Sequence, residues 1–209
     1  YEIRNCDWSS DVCSSDLVVT DGVFSMLGEY QNLAEIKKVI NDFDDQYELG
    51  VLLVVDDAHG VGAFGETGRG TEEIAAGQAD VLVGTMGKAF GADGGYAVGS
   101  QVVIDYLRES AATYIYSNNI SPGTAGAALA AVELLETKAG QQILINLREN
   151  IAYFKEKMLK LGYQFAVESE HPIQAVLIGD TEKTKLLRKE FYQQGILVTN
   201  INYPVVPPG

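Results

Sequence analysis

The chain has 209 residues, 46% of them hydrophobic and 21% charged, the balance of a globular protein with enough chain for one large domain and part of another. A net charge of −14 argues against nucleic acid and against an anionic membrane surface as partners. No apolar run approaches the roughly 20 residues that a membrane helix needs, and no internal repeat or low-complexity linker is visible in the globular part.

The first 17 residues have neither helical nor strand periodicity. They hold both cysteines and the single tryptophan, and Cys6 to Leu17 reads like the in-frame translation of a short-read sequencing adapter. Residues 1–17 are therefore expected to lie outside the fold. From residue 18 onward there is no cysteine, so neither a disulfide frame nor a thiolate metal site is expected. With no leader peptide visible, a cytoplasmic location is the default expectation.

Leu17 to Thr20 starts a strand that runs into the turn-rich Asp21-Gly22-Val23-Phe24-Ser25. Leu33, Ile36, Val39, Ile40 and Phe43 have helical spacing, which predicts a helix over 33–47. Gly50 ends it and the strand Val51–Val55 follows. Gly60 to Gly70 holds five glycines, a loop that needs positive φ or close backbone approach. Thr71 to Ala75 is a capped helical turn, and Val81–Gly84 is a second buried strand.

Gly94–Gly99 predicts another short strand, 100–110 a helix, and Tyr114–Asn119 an extended segment. An alanine-rich helix runs from Pro122 to about Thr137 and continues, after a break near Gly140, over 141–161. Val176–Gly179 predicts a strand, 182–194 a helix, and Ile196–Thr199 a last strand. Strands alternating with helices indicate an α/β architecture with a mostly parallel sheet. Ligands of such sheets bind beyond the carboxyl ends of the strands.

Four chemistry-bearing residues fall just there: Ser25, Asp56, His59 and Lys88. Most lysines are solvated surface residues, but Lys88 follows the apolar run Val81-Leu82-Val83 and a glycine-lined turn. An amine delivered by such a strand is expected to be held out of water, where burial favours its neutral, nucleophilic form. Asp56 reads equally as a turn residue or as a carboxylate partner for a pyridinium nitrogen. His59 stands in Asp-x-x-His after a buried strand, suited to meet an aromatic cofactor. Thr85 and Ser25 supply hydroxyls, and Gly84 and Gly87 are expected to leave room for a cofactor against the backbone. An amine, a carboxylate and an imidazole at two strand ends are the kit for holding pyridoxal phosphate. A P-loop is excluded, because Leu82 stands where that motif needs glycine and Ala89 where it needs Ser or Thr. Asp56, Asp57 and His59 lack a second nearby histidine, so no metal is expected.

Val23-Phe24-Ser25-Met26, Asp56-Asp57-Ala58-His59-Gly60-Val61-Gly62, Gly65-Glu66-Thr67-Gly68-Arg69-Gly70, Gly84-Thr85-Met86-Gly87-Lys88 and Tyr116-Ser117-Asn118 follow one another as they do in the α-oxoamine synthases. These are fold-type-I pyridoxal-phosphate enzymes that condense an amino acid with an acyl-coenzyme A. The resemblance covers residues 18–209. It implies an α/β, PLP-dependent transferase fold type I with a mostly parallel central sheet flanked by helices. Residues 18–135 would be part of the cofactor-binding large domain and 136–209 part of a smaller α+β C-terminal domain.

The resemblance also implies roles. Lys88 would form the Schiff base, Asp56 would pair with the pyridine nitrogen, and His59 and Ser25 would contact the phenolic oxygen and ring. Thr85 would bind the phosphate, and Ser117 and Asn118 the phosphate of a neighbouring subunit, making a homodimer with shared active sites. The substrates would be an acyl-CoA and a small amino acid. His171-Pro172-Ile173-Gln174 and Asn202-Tyr203-Pro204-Val205-Val206-Pro207 are most similar to the glycine C-acetyltransferase branch, the threonine-catabolic 2-amino-3-ketobutyrate coenzyme A ligases. The 8-amino-7-oxononanoate synthase and serine palmitoyltransferase branches stay open, as does a non-catalytic partner subunit. Leu27 departs from the family, where aspartate is usual. The chain is expected to be an internal fragment of an active parent and to be inactive by itself.

Overall fold

The structure is a computed structural model and describes residues 16–206; the expectation for residues 1–15 lies outside the described residues. The chain folds into two compact units. The first takes in 16–24 and Tyr30–Asn146, the second Ser25–Glu29 and 147–206. The last of the crossings between them, from Asn146 to Leu147, falls inside a single helix.

The first unit is built on a four-stranded sheet. β1 (Asp16–Asp21), β2 (Val51–Asp56), β3 (Val81–Thr85) and β4 (Gly95–Gly99) lie side by side in that order. β1, β2 and β3 are parallel, and β4 runs antiparallel to β3. β1 takes in Asp16 and Leu17, pairing them with Val51 and Leu52, so the sheet starts two residues inside the stretch expected to lie outside the fold.

Helix α1 (Leu33–Phe43) connects β1 to β2. Asn32 caps it, its Oδ1 accepting from the Glu35 amide at 3.2 Å, which satisfies one of the amides a helix start leaves open. Its Leu33 and Ile40 pack on Leu53 and Val55 of β2, with Val18 and Ile36 at the rim. Val39 and Phe43, which share the helical spacing, face outward instead. Asp80 ties this layer to the sheet: one carboxylate oxygen receives Lys37 Nζ at 2.6 Å and the Leu53 amide at 2.8 Å. The short helix α2 (Thr71–Ile74) lies between β2 and β3.

Helices α3 (Gln101–Ser110), α4 (Ala112–Ile115) and α5 (Pro122–Leu135) complete the first unit, and α6 (Lys138–Lys160) leaves it. The extended segment expected from Tyr114 is therefore corrected in its first two residues, which close the helical turn α4. α5 starts on a Ser121 cap with Pro122 in its first turn. The corner into α6 is tight: a Cβ on Gly140 would lie 2.1 Å from the Leu134 carbonyl oxygen.

The second unit is α+β. β5 (Gln164–Phe165) and β6 (Val176–Leu177) form an antiparallel pair, followed by α7 (Thr181–Gln193). Phe154 of α6 meets Phe165 edge-on at 6.1 Å. A polar knot anchors the 25–29 loop within this unit. Ser169 Oγ donates to the Gly28 carbonyl at 2.6 Å and accepts from the His171 amide at 3.0 Å. The strand expected at 196–199 does not form; among the described residues no strand pairs with it, and Leu197 is 82% exposed. Apolar residues alone do not make a strand where no ladder partner exists.

Candidate active site

The parallel strands end together. Asp21 of β1 is the register partner of Asp56 of β2, and Asp56 is the partner of Val83 of β3. The turns that follow these ends carry the candidate groups, so the topology brings them to one sheet edge. Alternation along β2 places Val51, Leu53, Val55 and then Asp57 on the face toward α1, and Leu52, Val54 and Asp56 on the other.

Asp56 is exposed, and its Oδ1 accepts from the Ala58 amide at 2.9 Å. That bond turns the chain so that His59 follows close by. His59 is half-buried, and its imidazole is held below its ordinary pKa, first by desolvation and then by the positive charge of Lys88. Asp21 and Asp56 oppose that shift. Lys88, Asp21 and Asp56 thus all act electrostatically on His59, and the net effect favours its neutral form.

Lys88 stands in a closed turn beyond β3. The Met86 amide donates to the Gly94 carbonyl at 3.0 Å, Ala92 to Met86 at 2.8 Å and Gly91 to Lys88 at 3.1 Å. The Thr85 hydroxyl donates to the Gly94 carbonyl at 3.1 Å and accepts from the Gly87 amide at 3.2 Å. Thr85 therefore shapes the lysine turn from within. The expectation of a buried amine is corrected: Lys88 is exposed, because its turn projects past the end of the strand rather than under a layer.

The role expected of Gly84 is also corrected. A Cβ there would lie 2.3 Å from Cζ of Tyr96, its antiparallel partner in β4, so the tyrosine ring fills the space. Gly87 is open, with Thr85 Oγ1 the nearest atom to such a Cβ at 3.6 Å.

Ser117 and Asn118 are exposed in the segment between α4 and α5. Ile120, just beyond, lies over Gly94, within 2.6 Å of where a Cβ would stand, so this segment is anchored on the residue that closes the lysine turn. Ser25 is exposed in the second unit. Sequence reasoning weighed Asp57 only as a metal ligand and did not foresee its burial, and it missed Tyr96 and Asp21. The alternation of β2 was the available signal for Asp57, since 51, 53 and 55 point to the core and 57 continues the row. Tyr96 required knowing which strand β4 joins. Asp21 stood in the turn after the first strand without a motif to single it out. Among the described residues, no three His, Cys, Asp or Glu side chains cluster as a metal site.

The family model for aminotransferase class I and II matches residues 7–209. The 8-amino-7-oxononanoate synthase of Petrotoga mobilis is 38% identical over 206 residues, 95% of this chain and 49% of that protein. The 2-amino-3-ketobutyrate coenzyme A ligase of Escherichia coli K12 is 38% identical over 196 residues, 92% of this chain and 47% of that protein. Both relatives are α-oxoamine synthases, and the chain spans about half the length of the curated relatives it matches. Among solved structures, the Sphingomonas wittichii serine palmitoyltransferase superposes with a TM-score of 0.81 at 29% identity, covering 91% of this chain and 47% of that one.

These relationships imply pyridoxal 5′-phosphate as cofactor. The residues fit it: a solvent-facing amine, an exposed carboxylate and a neutral imidazole share one edge, beside an open backbone at Gly87. A match running from residue 7 to the last residue, on a sheet shared with pyridoxal-phosphate-dependent transferases of fold type I, makes this chain a member of the aminotransferase class I and II family.

Proposed function

We propose that the protein carrying this chain is a pyridoxal-phosphate-dependent C-acyltransferase that condenses a small amino acid with an acyl-CoA to a 2-amino-3-oxo product. The observation that carries the reading is the grouping of Lys88, His59 and Asp56 at one strand edge, where the charges of Lys88 and Asp56 both bear on His59. When bound, pyridoxal phosphate supplies an aldehyde carbon for amines and a cationic ring that takes up an electron pair.

In this reading Lys88 Nζ holds the cofactor and, once displaced by the incoming amino acid, takes the proton from its α-carbon. Asp56 pairs with the ring nitrogen and keeps it protonated. His59, already neutral, contacts the phenolic oxygen without adding positive charge. Thr85 shapes the turn that presents a phosphate site. Ser117 and Asn118 serve the site of a second subunit in a homodimer.

Glycine with acetyl-CoA is the substrate pair we infer, from the 171–174 and 202–207 motifs. The two named relatives are equally identical to the chain, so longer acyl-CoAs with other small amino acids are the comparison. The test is borohydride reduction of the full-length protein with pyridoxal phosphate, peptide mass mapping, and an assay of coenzyme A release. We expect the pyridoxyl mass on Lys88 and release of coenzyme A that depends on the amino acid. An adduct on another lysine would sink the assignment, and amino-group transfer independent of any acyl-CoA would replace it with an aminotransferase.

A further inference from the structure

Among the described residues, Asp57 is the only buried carboxylate. Three glycines make room for it. A Cβ on Gly22 would lie 2.4 Å from its Oδ1, one on Gly60 2.2 Å from Oδ1, and one on Gly70 1.9 Å from Oδ2. The turn after β1, the turn after β2 and the start of α2 therefore converge on one carboxyl group. Thr71 closes the cage: its amide donates to Oδ2 at 2.8 Å and its hydroxyl to Oδ1 at 2.5 Å. The Asp57 main chain adds its own ties, its amide donating to the Val83 carbonyl at 2.8 Å and its carbonyl accepting from Gly60 and Val61 at 3.0 Å each.

This carboxylate secures both ends of the 60–70 loop. Glu73 secures the middle, accepting from the Thr67 amide and hydroxyl and from the Arg69 amide. The loop then presents Gly62 to the lysine turn. A Cβ at Gly62 would lie 2.9 Å from the Ala89 Cβ and 3.1 Å from the Phe90 ring. Ala89 and Phe90 directly follow Lys88. A packed path runs from Asp57 through the loop to the residues that hold the amine.

We propose that Asp57 is a positioning residue for Lys88: locked to Thr71, it sets the 60–70 loop as the wall against which Ala89 and Phe90 rest, and so fixes the amine relative to His59. Asp57 touches no reacting atom in this role. The inference rests on the proposed cofactor chemistry only for what Lys88 does with its position.

The experiment compares Asp57→Ala, Asp57→Asn, Thr71→Val and Thr71→Ser in the full-length protein. Asparagine can accept from the Thr71 amide and donate to its hydroxyl, so it keeps both bonds without the charge. Two readouts are taken: hydrogen exchange of segments 60–70 and 86–92 without cofactor, and the pH titration of the absorbance of lysine-bound pyridoxal phosphate. Loss of a buried hydrogen-bonded group leads us to expect about tenfold faster exchange in both segments for Asp57→Ala. We also expect a titration midpoint displaced by about one pH unit. Thr71→Val should move both readouts in the same direction, whereas Asp57→Asn and Thr71→Ser should behave as the parent.

Faster exchange confined to 60–70 with an unmoved titration would overturn the proposal, as would Asn behaving like Ala. Should Asp57→Ala not accumulate as folded protein, the Val and Ser pair at Thr71 makes the same comparison. If the parent protein forms no adduct at Lys88, the cofactor reading fails, and the exchange of the two segments still decides whether Asp57 controls the lysine turn.

Discussion

Asp56 and Asp57 are neighbours in the chain and fall on opposite faces of the sheet. Asp56 is exposed at the strand edge near Lys88 and His59, while Asp57 is fully buried against Thr71. The pleat of β2 separates them into a carboxylate available to a ligand and one that holds loops together.

That separation leads to opposite outcomes for Asp56→Ala and Asp57→Ala in the full-length protein. Asp56→Ala should leave the thermal midpoint within about 0.5 kcal/mol of the parent in stability, as exposed substitutions do, and lower turnover by about a hundredfold or more. Asp57→Ala should cost about 1–3 kcal/mol of stability through stranded hydrogen bonds. Thermal melts and coenzyme A release measured on both variants check this; equal stability losses would contradict it.

Lys88→Ala should abolish the reducible cofactor adduct and lower turnover by about a thousandfold. Because Lys88 is exposed, the fold should keep its stability. A retained pyridoxyl mass on any other lysine, with activity intact, would refute the central assignment.

His59 sets a pH dependence. Its folded pKa lies below the ordinary value of about 6.5 because of desolvation and the nearby Lys88 charge. Below pH 6.5 the unfolded chain therefore binds the proton first. Stability is fully present above about 6.5 and falls as pH drops toward the folded value. Asp57 works in the reverse direction: burial raises its pKa, so its contribution falls as pH rises above its ordinary value of about 3.9. Denaturant melts of His59→Asn and Asp57→Asn across pH 4–7 should each remove the corresponding slope, and unchanged slopes would refute the signs.

Gly84→Ala should cost about 1–3 kcal/mol by forcing a Cβ into the Tyr96 ring, and the loss should be largely recovered in the Gly84→Ala, Tyr96→Ala pair. Additive losses in that double-mutant cycle would show that the two positions do not compete for one space.

Leu53→Ala should cost about 2–5 kcal/mol, since Leu53 is fully buried between β2 and α1. A denaturant midpoint shift corresponding to less than about 1 kcal/mol would show that the layer of α1 on the sheet does not carry the first unit.

Much of the fold was legible in the sequence. The parallel strands, α1, the glycine loop and the long α5–α6 stretch all follow from apolar period and glycine placement, which are local properties. The 196–199 segment failed for the complementary reason: its residues favour a strand, but a strand needs a neighbour to pair with. Tyr114 and Ile115 went into a helical turn because local propensity does not separate a short helix from an extended exit.

The amine, imidazole and carboxylate were visible as residue types at strand ends, and their order along the chain carried the family resemblance by itself. Tertiary structure alone decided that Lys88 faces solvent, that Tyr96 occupies the space over Gly84, and that three distant glycines enclose Asp57. Those outcomes depend on which strands pair, in which direction and register. Such pairings join residues far apart in the chain, and local periodicity holds no record of them.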